Sequence, residues 1–298
     1  MNWIETHEAG FRLSLFVLVL VVMLVAEWQW PKRKLTRTRR ERWRGNIALT
    51  VFNTLTLRLF APLSAVAIAS LVSETGFGLF NQLSLPLWAA VLFTLVLMDM
   101  AIWYQHKLFH QVPWLWRLHL VHHADMDIDV TTGARFHTVE IWLSMLIKCT
   151  LVAVLGAPVL GVILFETLLS SMAMFNHSNV RLPKHIDVWL RHLIVTPDMH
   201  RVHHSTRFHE CNANYGFNLS CWDRWFHTYV SQPRKGHHGM RIGLKEISQA
   251  NDASHIIGML RLPFRWRILQ RAYQNNKESW AHDSSNSHIE KPRQSVRR

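Results

Sequence analysis

At 298 residues the chain is long enough for one or two domains, and 49% of it is hydrophobic, with a formal net charge of +13. That charge is gathered in one segment and no nucleic-acid module accompanies it, so nucleic acid is excluded as a partner and anionic lipid headgroups account for it better. Three cysteines give no disulfide framework, and the long apolar runs make the bilayer the relevant solvent.

The first apolar run, Leu13 to Ala26, follows Glu5 and Glu8 rather than a basic region, and no small-x-small site precedes the next segment. It is therefore expected to be a retained anchor and not a cleaved signal. Lys32, Arg33, Lys34, Arg37, Arg39, Arg40, Arg42 and Arg44 come next, where a positive-inside signal belongs. Ile47 to Val72 is expected to cross outward, 73–85 to form a short external loop, and Pro86 to Trp103 to return, apolar until Asp99. Ile141 to Phe175 is broken near Gly156-Ala157-Pro158, which gives four spans, or five if this stretch is a hairpin. In a hairpin Lys148 and Glu166 lie at similar depth on facing helices, so they are expected to pair or to line one polar cavity.

With the basic segment in the cytoplasm, every histidine-rich stretch falls in that same compartment. Trp103, Trp114 and Trp116 fit an interfacial belt. Cys149 lies in a span, Cys211 and Cys221 flank Asn214-Tyr215-Gly216, and all three read as packed, reduced thiols. Ile256 to Tyr273 alternates apolar residues with Arg261, Arg265, Arg267 and Arg271, as a surface-lying amphipathic helix or one packed on the domain would. Residues 275–298 read as a disordered tail. The expected architecture is an all-α integral-membrane bundle with a cytoplasmic, histidine-rich helical di-metal domain. Its parts are spans and basic loop in 1–105, the histidine domain in 106–230, and the amphipathic segment and tail in 231–298.

Three histidine boxes stand out: His106-x3-His110, His119-x2-His122-His123 and His200-x2-His203-His204. Imidazoles at i, i+3 and i+4 share one helix face. Partly buried, they leave lone pairs and donors unsatisfied unless a metal takes them. Eight such rings at one end of a bundle suit two transition-metal ions. His7, His185, His192, His209, His227, His237, His238, His255, His282 and His288 read as caps or packed rings. Imidazole alone leaves zinc, copper, iron and nickel open. No box carries the carboxylate of His-Glu-x-x-His, which favours redox chemistry over a membrane hydrolase; a non-enzymatic metal-binding protein is the other alternative.

The boxes occur in a fixed order, with a lone membrane-edge His177 between the second and third. With them come Arg135-x-His137-x-x-Glu140, Phe175-x-His177-Ser178-Asn179, Asn214-Tyr215-Gly216 and Trp222-Asp223-x-x-Phe226-x-Thr228. From Leu97 to Tyr229 this set resembles the fatty acid hydroxylase/sterol desaturase superfamily of integral-membrane di-iron enzymes. The Arg-rich run into Trp43-Arg44-x-Asn46 resembles bacterial members, which implies a bacterial inner membrane. The resemblance implies two non-haem iron ions that use dioxygen and two electrons to hydroxylate or desaturate a lipid C–H bond. It carries over His106, His110, His119, His122, His123, His200, His203 and His204 as ligands, adds His177 and His137, and makes Arg135, Glu140, Asn214 and Asp223 groups that orient those rings. Thr138 and His227 depart from the family, which often has proline and a small residue there. No dinucleotide fingerprint or fused haem segment is apparent, so electrons are expected from a separate ferredoxin- or cytochrome-like protein.

Overall fold

The computed structural model describes residues 3–60, 64–244, 247 and 253–265. Among these it is helical, with strand pairing limited to isolated bridges such as Pro31 with Val180. Five stretches are long and apolar enough to cross a membrane. They are α1 (Glu8–Gln29), the stretch Arg39–Gln82, α4 (Leu87–Gln111), α6 (Thr138–Leu155) and α7 (Val159–Asn176). Within the second, α2 covers Arg39–Phe60 and α3 Ala65–Thr75. The single span expected over 47–72 is thus two helices, with Pro62 in the sequence between them and Ser64 accepting from the Ala67 amide to cap α3.

Proline and glycine set the other ends. Pro86 precedes α4, which runs as one helix past Trp103 and carries both His106 and His110. Pro113 then stops it and opens α5 (Pro113–His123), the helix of the second box, because proline suits the first turn and disfavours a helix before it. α6 ends on Gly156 at φ 65°, Pro158 precedes α7, and the two form the fifth-span hairpin. A Cβ on Gly156 would meet the Phe77 carbonyl oxygen at 2.8 Å, so this tight approach also needs glycine.

Inside the hairpin Lys148 Nζ lies 2.7 Å from Glu166 Oε1. Arg12 Nη2 on α1 adds a second contact to Glu166 at 3.1 Å, so a buried carboxylate in the apolar layer is met by cations from two helices. Met98, Ile102, Val152, Val162 and Phe165 pack α4, α6 and α7 around it. A second core of Leu49, Leu120, Val121, Leu244, Met259 and Leu262 lies at the histidine-bearing end. The described part of the 256–273 segment, a helix over Ile256–Arg261 and a 3-10 turn over Leu262–Phe264, buries Met259 and Leu262 there and leaves Ile257 and Phe264 exposed. Its remainder and the 275–298 tail lie outside the described residues.

A polar knot ties α2 to the segment after α5. The Arg42 guanidinium is buried and donates to Asp125 through two 2.8 Å bonds, and also to Asp129. Burial pushes the Asp125 carboxyl up, but the charge of Arg42 outweighs it and holds the group well below the usual carboxylate range.

Candidate metal centre

The C-terminal ends of α4 and α7 meet α5 and α8 (Pro197–His203) at one end of the bundle. There nine buried histidines form two groups. One holds His106, His110, His119, His123 and His203; the other holds His122, His177, His200 and His204. Within each group every histidine offers a ring nitrogen within 4.8 Å of all the others. The groups abut, with His123 and His204 ring centres 4.7 Å apart and His119 and His122 5.2 Å apart.

The donor atoms fit a metal of ordinary size. Nitrogens bound at about 2.1 Å to one ion, at octahedral or tetrahedral angles, stand about 3.0–3.4 Å apart. In the second group, His122 Nε2 is 3.1 Å from His177 Nε2, which is 3.0 Å from His200 Nε2, itself 3.3 Å from that of His204. In the first, His106 and His119 Nε2 are 3.1 Å apart. The Nε2 atoms of His110, His123 and His203 are buried without a hydrogen-bond partner among the described residues. Buried polar atoms are rarely left so, and a shared cation satisfies all of them together.

The opposite ring edges are held. Nδ1 of His106 bonds the Tyr215 carbonyl at 2.7 Å, that of His203 the Ala213 carbonyl at 2.7 Å, and that of His177 the Ala173 carbonyl at 2.8 Å. His122 Nδ1 reaches the Arg135 carbonyl at 3.2 Å, and His119 Nδ1 reaches Glu140 Oε1 at 2.6 Å. A proton on Nδ1 in each case leaves the Nε2 lone pair free to ligate. Phe136 stacks on His122 at 4.5 Å between ring centres.

Asp223 and Asn214 act on the rings through the backbone. Asp223 accepts from the Tyr215 and Gly216 amides at 2.9 Å and from Trp103 Nε1 at 3.0 Å, which fixes the carbonyl that His106 meets. Asn214 donates to the Met199 and Val230 carbonyls and accepts from the Val230 amide, anchoring the turn whose Ala213 carbonyl holds His203. The Arg135 side chain reaches the Val121 carbonyl, Asn46 and the Ala253 carbonyl, and so ties α5 to α2.

His137 stands apart from both groups. It caps α6, its Nδ1 accepting from the Val139 amide at 3.2 Å, and its Nε2 lies 3.3 Å from the Leu260 carbonyl. With both nitrogens turned to backbone it belongs to neither donor set. Thr138 is the first residue of α6 and donates to Asn53 Oδ1 at 2.6 Å. His227 takes φ 56°, a left-handed conformation that favours glycine. None of the described histidines read as caps or packing groups lies in either group. Cys211 approaches His123 Nδ1 only to 3.8 Å, and burial pushes its thiol up to about 12, so it is an uncharged neighbour.

Several groups that build the site were not singled out from sequence. Glu27 accepts from the Val130 and Asn179 amides, both at 2.8 Å, so α1 steadies the turn after His177. Asp125 and Asp129, which grip Arg42, lie just after the second box in Asp125-Met126-Asp127-Ile128-Asp129. That spacing beside an arginine-rich stretch was the available signal.

Burial pushes His119 down to about 3 and His177 to about 4, from an ordinary 6.5, so both rings are neutral near pH 7. In the unfolded chain they take up protons below about pH 6.5. Unfolding of the metal-free protein therefore binds protons, and stability is lost as pH falls from 6.5 toward 4. Tryptophan-fluorescence melts of metal-free protein in detergent between about pH 7.5 and about pH 4.5 check this; a melting temperature that stays constant contradicts it.

A cavity of about 100 Å³ opens beside the first group, lined by His106, His119, Ile102, Phe109, Phe136, Glu140 and Phe217 among others. It places apolar walls against two of the converging rings.

Residues 91–228, which contain every histidine of both groups, match the fatty acid hydroxylase family model. The chain is 29% identical over 150 residues to the ornithine lipid hydroxylase OlsE of Rhizobium tropici, covering 50% of this chain and 44% of that protein. It is 26% identical over 142 residues to alkylglycerol monooxygenase of Homo sapiens (48% and 31% covered). It is 27% identical over 137 residues to human cholesterol 25-hydroxylase (45% and 48%). The chain thus spans less than half the length of these relatives. No solved structure matches it. The box order, the paired histidine groups and the family match all fall on one segment, and over residues 91–228 the chain is similar to the fatty acid hydroxylase family.

Proposed function

We propose that this chain is a membrane monooxygenase that hydroxylates a lipid C–H bond at a non-haem di-iron centre. The observation that carries this reading is the convergence of nine buried imidazoles in two abutting groups next to an apolar cavity. His106, His110, His119, His123 and His203 would hold one iron, and His122, His177, His200 and His204 the other. When bound, the iron pair supplies the two-electron chemistry of dioxygen that a C–H bond requires. Over the whole reaction, one oxygen enters the C–H bond as hydroxyl, and the other leaves as water with two electrons and two protons.

The protein's part is holding and shielding. Tyr215, Ala213, Ala173 and Arg135 carbonyls and the Glu140 carboxylate orient the rings before any substrate arrives. Ile102, Phe109, Phe136 and Phe217 present a dry wall to a hydrocarbon chain entering from the bilayer and keep water from the reacting carbon. Hydroxylation is favoured over desaturation because the three relatives are named as hydroxylases or a monooxygenase. The cation-rich segment after α1 supports a cytoplasmic histidine-bearing end, where a separate electron-donor protein would have access.

Total-lipid mass spectra of cells expressing the wild-type chain are expected to show a lipid class heavier by one oxygen, absent with an empty vector and labelled by ¹⁸O₂. A loss of two hydrogens would shift the reading to desaturation. Unchanged spectra in iron-replete, reductant-competent cells would remove the lipid oxidation altogether.

A further inference from the structure

Behind the second histidine group the surface opens into a broad bowl of about 910 Å³, lined by 31–35, 37–39, Asn179, Arg181 and His238. Lys32, Arg33, Lys34, Arg37, Arg39 and Arg181 put six cations on its wall, and no carboxylate lines it. Two are offset from outside, Lys32 by Asp198 at 2.5 Å and Arg37 by Glu41 at 3.5 Å. Lys34 and Arg181 are exposed and make no ion pair among the described residues.

The bowl is built on the backbone of the metal site. The Lys32 amide donates to the Asn179 carbonyl and the Arg181 amide to the Trp30 carbonyl, both at 2.8 Å, and the Asn179 side chain pairs with the Arg33 backbone in both directions. Asn179 stands two residues after His177. Asp198, which grips Lys32 and Arg201, stands two residues before His200. The first histidine group borders the apolar cavity, and the second is joined to this cationic surface through two short stretches of chain, His177 to Asn179 and Asp198 to His200.

We propose that this bowl is the docking surface for an acidic one-electron carrier protein of the ferredoxin class, which delivers electrons on the side of His122, His177, His200 and His204. The proposal rests on the reading of the chain as a dioxygen-dependent lipid hydroxylase and names its partner and point of entry. Each docking event oxidises the carrier by one electron, and two events supply the pair that a hydroxylation consumes. Cations on a rim raise the rate of encounter with an acidic partner and set its orientation. A lipid headgroup fits the same charge less well: Pro31 and Leu35 are the only apolar side chains among the lining residues, which leaves acyl chains no groove.

The test uses the full chain in nanodiscs of zwitterionic lipid, with an acidic plant-type [2Fe–2S] ferredoxin as probe. Lys34→Glu with Arg181→Glu is compared with Arg58→Glu, an exposed charge at the far end of α2, roughly 28 Å along the helix from Arg39. The double variant is expected to bind ferredoxin at least ~10-fold more weakly. Raising ionic strength from about 20 to about 200 mM should weaken wild-type binding similarly, and Arg58→Glu should behave as wild type. With iron-loaded protein, the double variant should raise KM for reduced ferredoxin and leave kcat unchanged. Carbodiimide cross-linking should join ferredoxin carboxylates to Lys34. Wild-type and double-variant affinities within twofold of each other, or no wild-type binding, overturn the docking site. Co-purifying phosphatidylglycerol that the double variant alone loses, at unchanged ferredoxin affinity, assigns the bowl to lipid and also overturns it. Because binding is read without lipid product, failure here leaves the hydroxylase reading to its own mass-spectrometric test.

Discussion

His203→Ala and His200→Ala are each expected to abolish formation of oxidised lipid, at least ~100-fold, while lowering bound iron from about two to about one per chain. The two residues lie three apart on one short helix, yet they feed different groups: His203 joins His106, His110, His119 and His123, and His200 joins His122, His177 and His204. Removing either ring takes away a donor whose opposite neighbours remain fixed by backbone carbonyls, so the remaining rings cannot close in to compensate. His203 Nδ1 already bonds the Ala213 carbonyl, and truncation frees that acceptor as well. Metal analysis by plasma mass spectrometry, alongside membrane yield and melting temperature, separates lost coordination from lost folding. The His137→Ala variant is the matching control. Its ring caps α6 outside both groups, so iron content should stay at wild-type level, with a stability loss of about 1 kcal/mol from the missing cap. If His137→Ala lowers bound iron as His203→Ala does, the placement of His137 outside both groups is wrong.

That contrast also marks how far the sequence was legible. The three boxes stood out as candidate ligands because spacing on a helix is local: His119, His122 and His123 share a face of α5 whatever surrounds them, whereas His177 was added only by the family resemblance. The hairpin was readable from Gly156 and Pro158, and the Lys148–Glu166 pair followed from depth alone. His137 was not, because a histidine just before a helix caps it or ligates according to where its ring points, and spacing is the same in both cases. The groups that brace the site were hidden for a different reason. Glu27 accepts from the Asn179 amide across 152 positions and Arg42 meets Asp125 across 83, and no pattern in one sequence pairs such distant groups. The break between α2 and α3 was hidden because hydropathy continues across Pro62 and Ser64, and apolarity reports solvent, not helix continuity. Asp223 and Asn214 were flagged as ring-orienting groups; in the structure they bond the backbone beside the rings, Asp223 accepting from the Tyr215 amide and Asn214 donating to the Val230 carbonyl.

Arg42→Met is expected to be the most destabilising change outside the histidines, by about 3–5 kcal/mol, because removing one partner leaves buried opposite charges uncompensated. The guanidinium serves Asp125 and Asp129 together, both almost fully buried, and also reaches the Asp127 carbonyl and Thr132. Asp125→Asn should cost less, since Arg42 keeps Asp129 and the amide still accepts one bond. The order of the two variants therefore tests whether charge, and not packing, holds the knot. Asp125 follows His123 by two residues and the Asp129 turn leads to Arg135, whose carbonyl meets His122. Loosening this segment should release the second box from its register, so iron content is expected to fall with stability in Arg42→Met but to hold near wild type in Asp125→Asn. Thermal unfolding in detergent, with metal analysis on the same samples, reads both quantities. Equal losses in the two variants would mean that Asp129 is satisfied by the Trp43 indole at 3.2 Å and the Thr131 amide and hydroxyl, with Arg42 no more than a local partner of Asp125.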